Sequence, residues 1–145
     1  MITDAVEIDR APADVFAYLD DLERHGEWQP EIVSTTIESE GPPRVGTRVK
    51  ELRKFRGRQI DSSYEITEHD PPRRTSFRGL VGPIRPEGNV TLEPLDEGRR
   101  TRLTLEFDLV GYGVGKLFAP LARRHARQTI PRDQKRLKER LESTT

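Results

Sequence analysis

Apolar and polar residues alternate along most of the first 110 positions, which is the period of strands with one buried face. Ile2, Val6 and Ile8 begin this pattern. Ala11-Pro12-Ala13-Asp14 then predicts the start of a short helix, because proline suits the first helical position and Asp14 complements the positive helix end. Gly26 is expected to end a second, shorter helical turn.

Strand and turn signals repeat at intervals of roughly ten residues between positions 31 and 109. The predicted strands cover residues 32–37, 47–55, 58–69, 73–80, a segment beginning at Val90, and residues 103–109. A bend rich in glycine and proline is expected across residues 82–88. Such spacing predicts hairpins, and therefore an antiparallel meander of seven strands when the first strand is included. One face of this sheet is expected to meet water, and the other needs a cover.

The last third of the chain supplies that cover as a long helix near residues 114–142. One stripe with helical spacing runs along it: Phe118, Ala122, Ala126, Ile130, Gln134, Leu137 and Leu141. Leu117, Leu121 and His125 widen the stripe. Because the stripe keeps its phase across Pro131, a bent helix is expected there and not two separate helices. Pro120 fits such a helix if it lies in the first turn.

Composition and charge exclude several classes of protein. The 145 residues contain no cysteine, so disulfides and thiolate metal sites are excluded, and the formal net charge of zero argues against nucleic-acid binding. No run of apolar residues is long enough to cross a bilayer, and no signal peptide is visible, so a cytoplasmic protein without stable membrane insertion is expected. Charge is uneven, however: residues 1–43 hold eleven acids and two bases, and residues 111–145 hold nine bases and three acids.

Catalytic and cofactor motifs are missing. The sequence has no GxSxG elbow, no HExxH motif and no phosphate-binding loop of the Walker type. The three histidines, His25, His69 and His125, have no metal-ligand spacing. We therefore expect neither a cofactor nor a metal, and a monomer or a homodimer as the quaternary state.

Several short motifs resemble the START-like superfamily, also called SRPBCC, and most closely its polyketide cyclase/dehydrase-like branch. They are Val6-Glu7-Ile8, Ala11-Pro12-Ala13-Asp14-Val15-Phe16, Trp28-Gln29-Pro30, Val45-Gly46-Thr47, Tyr64-Glu65-Ile66, Pro71-Pro72-Arg73-Arg74, residues 82–88, Leu137-Lys138 and Leu141-Glu142. One departure is Ala11, where a capping serine is common in the family. The match extends over nearly the whole chain.

The resemblance implies an α+β helix-grip fold, formed by residues 1–145 as one ligand-binding domain. A seven-stranded curved antiparallel sheet would wrap around the C-terminal helix, with two short helices after the first strand. A cavity between sheet and helix is then expected, although the residues alone also allow a fully packed core. The expected lining is Trp28, Val49, Tyr64, Phe77, Val90, Leu92, Leu105, Phe107, Phe118, Leu121, Ala122 and His125.

Two of these residues carry candidate chemistry. Tyr64 could offer its hydroxyl to a ligand carbonyl, and His125 could act as an acid, a base or a hydrogen-bond donor, although both residue types also serve in ordinary cores. No catalytic residue is assigned beyond these two weak candidates. Glu51 and Arg53 share a strand face with Val49, and we favour the interpretation that this face is external and that they are surface charges.

Three functions remain open. The first is binding of a small hydrophobic molecule that is polyketide-, lipid- or quinone-like. The second is a cyclase or dehydratase that positions its substrate and moves protons with Tyr64 or His125. The third is an interaction module in which Arg123, Arg124, Arg127, Arg132 and Lys135 meet an acidic or membrane partner. Convergent polar groups inside the cavity would favour the enzyme, and an apolar lining would favour the carrier.

Overall fold

The structure is a computed structural model that describes residues 1–143, and the alternating segments form strands as expected. The strands are β1 (Ile2–Ile8), β2 (Ile32–Ile37), β3 (Arg48–Phe55), β4 (Arg58–Asp61), β5 (Tyr64–Asp70), β6 (Arg74–Gly79), β7 (Ile84–Leu95) and β8 (Arg100–Gly111). The α-helices are α1 (Pro12–Asp20) and α2 (Gly115–Ser143), and 3-10 turns cover Leu22–Glu27 and Asp96–Gly98.

The strands of the described chain form one curved antiparallel sheet in the order β1-β8-β7-β6-β5-β3-β2. Seven strands follow this path, and the long C-terminal helix covers one face, so the predicted helix-grip architecture is confirmed. The eighth strand, β4, pairs only with β3. The predicted strand 58–69 is divided into two strands, β4 and β5. β4 ends at Asp61, whose carboxylate accepts a hydrogen bond from the backbone N–H of Ser63 at 2.8 Å. The chain then begins β5.

β7 begins six residues earlier than predicted, so the expected bend across Pro86-Glu87-Gly88 is wrong. Glycine is needed inside this strand because a Cβ at Gly88 would lie 2.3 Å from the carbonyl oxygen of Glu106 on β8. Pro86 lies beyond Glu87, the last β7 residue that pairs with β6. A strand tolerates proline where no strand is paired with it on one side, because no backbone N–H is needed there. The rule that glycine and proline mark a bend therefore does not apply to this segment.

α2 runs for 29 residues and includes both prolines, as the continuous stripe predicted. Pro120 lies in the second turn and not in the first. The second half of the stripe is buried as expected, through Ala126, Ile130, Gln134, Leu137 and Leu141. In the first half the buried positions are Gly115 and Ala119, so the helix turns Phe118 and Leu117 to solvent.

The buried apolar residues of the described chain fall into three clusters and not one. The largest joins α1 and the C-terminal half of α2 to β1, β7 and β8, around Ile8, Leu103 and Leu137. A second joins Ile2 to Ala126 and Ile130. The third lies across the sheet, at Leu22, Val49 and Ile66. Leu105 packs against both the first and the second cluster, whereas the partly buried residues beside the third cluster, Ile37 and Tyr64, pack against neither of the other two.

Candidate ligand-binding cleft

The concave face of the sheet forms a floor that connects the second and third clusters. Tyr64 on β5 meets Phe77 on β6 edge to face, with ring centroids 5.8 Å apart. Phe77 in turn lies 6.2 Å from Phe107 on β8. Each ring has a glycine opposite it on one side: Gly79 pairs with Tyr64, and Gly88 pairs with Phe77 and Phe107. On the other side the rings meet aliphatic residues of the neighbouring strands, namely Val49, Ile66 and Ile2. The floor is therefore aromatic with aliphatic neighbours.

Burial along this face decreases from one end of α2 to the other. Leu92 and Leu103 are fully buried against Leu137 in the C-terminal half of the helix. Further along β8, Leu105 and Phe107 pack against Ala126 and Ile130 but are only half-buried. The sheet and the helix thus pack more tightly at the C-terminal end of α2. We use the term cleft for the candidate site between the concave face and the N-terminal half of α2.

Glu51 and Arg53 lie on this concave face, so the interpretation that they are surface charges is wrong. Glu51 is 3% exposed, and its neighbour on the same face, Val49, is completely buried. Arg53 Nε donates to Glu51 Oε1 at 2.5 Å. The sequence correctly predicted that Glu51 and Arg53 share a strand face with Val49. Nothing in the sequence showed that α2 and the 3-10 turn would cover this end of the strand.

Arg53 is the centre of a larger polar network at the end of the cleft. Its Nη2 donates to Gln29 Oε1, and its Nη1 lies 3.9 Å from Glu31 Oε2. Glu31 Oε1 is 2.5 Å from Nε2 of His125 on α2. All three guanidinium nitrogens therefore face acceptors of the protein itself. The contacts tie β2 and β3 to the helix.

The electrostatics of this network favour neutral groups. Burial raises the pKa of Asp133 to about 6, although Arg53 and Arg136 oppose the shift. Burial also lowers the pKa of His25, whose Nε2 lies 2.7 Å from the carbonyl oxygen of Leu19. Burial raises the pKa of Tyr64, and the charge of Glu51 adds to that effect, so this phenol stays protonated at any physiological pH.

Three buried side-chain donors on the elements that enclose the cleft have no hydrogen-bond partner among residues 1–143. They are Tyr64 Oη on β5, Trp28 Nε1 after the 3-10 turn, and Gln134 Nε2 on α2. The remaining unpartnered buried atom of the described chain is an acceptor, Asn89 Oδ1. Buried polar groups without partners cost free energy, so such a group is a candidate for contact with a ligand.

The residues predicted to line the cavity divide into four groups. Val49, Tyr64, Phe77, Val90, Leu105 and Phe107 lie along the floor or beside it. Trp28 and Leu92 belong to the packed cluster around Leu137. Ala122 and His125 are half-buried, and the His125 ring meets Phe55 of β3 at 4.9 Å, so these two lie at the mouth of the cleft. Phe118 and Leu121 are exposed, so the prediction that they line the cavity is wrong.

Gln29, Glu31 and Asp133 are site residues that the sequence pattern did not predict. Glu31 and Gln29 flank Pro30 just before β2, in a segment that reads as an ordinary turn. Asp133 follows Pro131 on what reads as the solvated side of α2. The sequence contained one signal of a polar site on α2, because Gln134 is a polar residue inside an otherwise apolar stripe.

Two surface depressions of the described chain lie outside the cleft. One, of about 570 Å³, is lined by α1 and the end of α2, including Ala17, Tyr18 and Arg140. The other, of about 320 Å³, lies over Ser76, Asn89 and Glu106, which alternate with the inward residues and thus belong to the convex face.

No group of three or more potential metal ligands occurs within residues 1–143. The same residues contain no helix that is both long and apolar enough to span a membrane.

Comparison with known proteins shows to which family the chain belongs. The family model described as polyketide cyclase / dehydrase and lipid transport matches residues 1–142. The chain belongs to this family. The predicted START-like resemblance is therefore confirmed, and with it a fold that binds small ligands. A comparison with curated protein sequences gives no match.

Solved structures support the same fold. The TTHA0849 protein of Thermus thermophilus is 25% identical, with a TM-score of 0.74 over 97% of this chain and 95% of that one. The Zhui aromatase/cyclase of a Streptomyces species is 18% identical, with a TM-score of 0.81 over 97% and 92%. A START superfamily protein of Mycobacterium smegmatis is 17% identical, with a TM-score of 0.81 over 99% and 98%.

Proposed function

We propose that residues 1–145 act as one domain that binds a small, uncharged hydrophobic molecule carrying carbonyl oxygens, such as a polyketide- or quinone-like compound. The ligand occupies the cleft between the concave face and α2. The observation that carries this proposal is Tyr64 Oη, a buried neutral donor beside Phe77 of the aromatic floor that lacks a partner among residues 1–143.

The apolar part of the ligand rests on the aromatic floor. Phe77 and Phe107 are half-buried, so a planar apolar molecule placed on them removes further apolar surface from water. Each buried square ångström contributes about 25 cal/mol to binding, which makes this contact the main source of affinity.

The charge balance argues against a carboxylate ligand such as a free fatty acid. Glu31, Glu51 and Asp133 bring three acidic groups to the polar end, and Arg53 already faces the oxygens of Gln29, Glu31 and Glu51. A carboxylate entering this end would meet negative charge without a free guanidinium. Ketone or quinone oxygens meet no such repulsion, and one of them accepts a hydrogen bond from Tyr64 Oη.

A matched pair of probes tests this proposal. Menadione, a neutral naphthoquinone, and 1-naphthoate, its carboxylate counterpart of similar ring size, are titrated by isothermal calorimetry. Menadione is expected to bind at least about tenfold more tightly, the equivalent of one net hydrogen bond. Equal affinity, or tighter binding of 1-naphthoate, would contradict the proposed ligand class.

A second function has one observation in its favour. The pairing of His125 with Glu31 at 2.5 Å is the arrangement of a general base with an orienting carboxylate, and it lies at the mouth of the cleft. Cyclisation or dehydration of a poly-carbonyl substrate requires removal of a proton next to a carbonyl group. Turnover of such a substrate that is lost in His125→Gln and retained in His69→Gln would establish this activity, whereas turnover that survives both changes would exclude the role of His125.

A further inference from the structure

The loop after β8 and the first turns of α2 expose a group of large apolar side chains. Leu117 is 80% exposed and Phe118 is 57% exposed. Tyr112, Val114 and Leu121 are also exposed and surround them. Leu117 and Leu121 are four residues apart on α2 and Phe118 lies beside them, so they form one exposed stripe on the side away from the buried Ala119 and Ala126. Val114 extends this stripe just before the helix begins.

Basic side chains border this stripe. Residues 109–132 contain five lysines and arginines and no aspartate or glutamate. Arg123 pairs with Asp108 at 3.0 Å, whereas Lys116, Arg124 and Arg127 form no ion pair with any of residues 1–143. We use the term docking surface for Tyr112, Val114, Leu117, Phe118 and Leu121 together with Lys116, Arg124 and Arg127.

We propose that the docking surface binds peripherally to an anionic lipid bilayer. Exposed leucine and phenylalanine beside lysine and arginine is the composition of helices that lie in the membrane interface, with the apolar side chains among the acyl chains and the bases at the headgroups. Unpaired bases add to this binding because anionic headgroups attract them.

Charge complementarity selects this occupant over a second copy of the chain. In a two-fold symmetric dimer the surface would meet itself, which brings Lys116, Arg124 and Arg127 close to their own copies. Such like charges repel, whereas an anionic bilayer neutralises all of them at once.

The location of the docking surface gives it a consequence for ligand transfer. Leu121 is adjacent in sequence to Ala122 and four residues before His125, which lie at the mouth of the cleft. A ligand that leaves the acyl region of a bilayer would therefore meet the mouth of the cleft close to the membrane surface.

Vesicle co-sedimentation tests the proposal with the protein itself. The vesicles consist of phosphatidylcholine alone or of phosphatidylcholine mixed with phosphatidylglycerol. Binding is expected to the anionic vesicles, to be weak with the neutral ones, and to decrease as salt is raised. Each removed base is expected to lower the partition coefficient about fivefold, so that Lys116→Glu with Arg124→Glu lowers it roughly 25-fold or more.

Matched controls separate the docking surface from general properties of the protein. Leu117→Ser with Phe118→Ser should abolish binding, whereas Val45→Ser, a change at an exposed valine far from α2, should not. Lys50→Glu on β3 is the charge-matched control for Lys116→Glu and should also bind normally. Absence of binding by the unmodified protein, or equal losses in the control variants, would overturn the proposal. So would sedimentation velocity showing that Leu117→Ser with Phe118→Ser converts a dimer that does not bind vesicles into a monomer.

Discussion

Arg53 Nε lies 2.5 Å from Glu51 Oε1, and the Glu51 side chain is almost entirely buried on the concave face of the sheet. Removing one member of such a pair leaves an uncompensated charge, which costs about 3–5 kcal/mol when the pair is buried. Arg53 remains partly exposed, so we expect Arg53→Met to lower the free energy of unfolding by about 3 kcal/mol. Glu51→Gln combined with Arg53→Met should recover most of this loss.

Urea denaturation measures this double-mutant cycle. Arg48→Met is the matched control, since Arg48 lies on the same strand, is exposed, and reaches Glu65 only at 4.0 Å. Loss of such a surface pair costs at most about 1 kcal/mol. If Arg53→Met and Arg48→Met have the same stability, the Glu51 carboxylate is solvated and the polar end of the cleft is misassigned.

Tyr64→Phe is expected to separate stability from binding. The Tyr64 hydroxyl is buried and has no partner within residues 1–143, so its removal should leave the free energy of unfolding unchanged or raise it by about 1 kcal/mol. The affinity for menadione should fall about tenfold, because one hydrogen bond to the ligand is lost. Tyr112→Phe, at an exposed tyrosine, is the control. A Tyr64→Phe variant with lower stability and unchanged affinity would show that the hydroxyl bonds to the protein.

Ala122→Phe is expected to fill the mouth of the cleft at little cost in stability. Added methylenes in a packed core cost about 1–3 kcal/mol, but Ala122 is half-buried beside an open space. Thermal melting should change little while menadione binding is lost. Ala17→Phe places the same side chain in the depression beside α1 and should leave binding intact. Loss of binding in Ala17→Phe alone would move the ligand to that depression.

Asp133 predicts a specific dependence of stability on pH. Its pKa is raised from 3.8 to about 6 in the folded protein. The folded state therefore holds a proton that the unfolded state has released, so the contribution of Asp133 to stability falls as pH rises from about 4 to about 6. Asp133→Asn removes this contribution. The variant should melt above the unmodified protein at neutral pH, and the difference should shrink as the pH is lowered toward 4. A difference that is constant with pH would show that Asp133 ionises normally.

The sequence predicted the sheet and the helix well because both depend on local periodicity. The alternation of Leu103, Leu105, Phe107 and Leu109 and the stripe from Ala126 to Leu141 are visible in the chain itself. The start of β7 was missed because Gly88 and Pro86 usually mark turns, and only the close approach of Glu106 requires glycine there.

The polar end of the cleft was harder to predict because it depends on which elements meet. The alternation along β3 places Glu51 and Arg53 on the inward face. Their burial, however, results from Gln29, Glu31 and α2, which are distant in sequence or belong to irregular segments. The exposure of Phe118 was missed for a related reason. An apolar stripe predicts a buried face only where a partner surface lies opposite, and in the first turns of α2 the face that packs against the protein carries Gly115 and Ala119 and not Phe118.

Methyl NMR of the protein titrated with menadione tests the location of the ligand most directly. Shifts and intermolecular contacts are expected at Ile66, Val90, Leu105 and Leu109 along the concave face, and none at Val33 or Val45. The place of each of these methyl groups in the fold is known, so the pattern of shift changes locates the ligand without any substitution. Shifts confined to residues beside α1, such as Leu141, or to the convex face with the cleft methyls unchanged, would contradict binding between the sheet and α2.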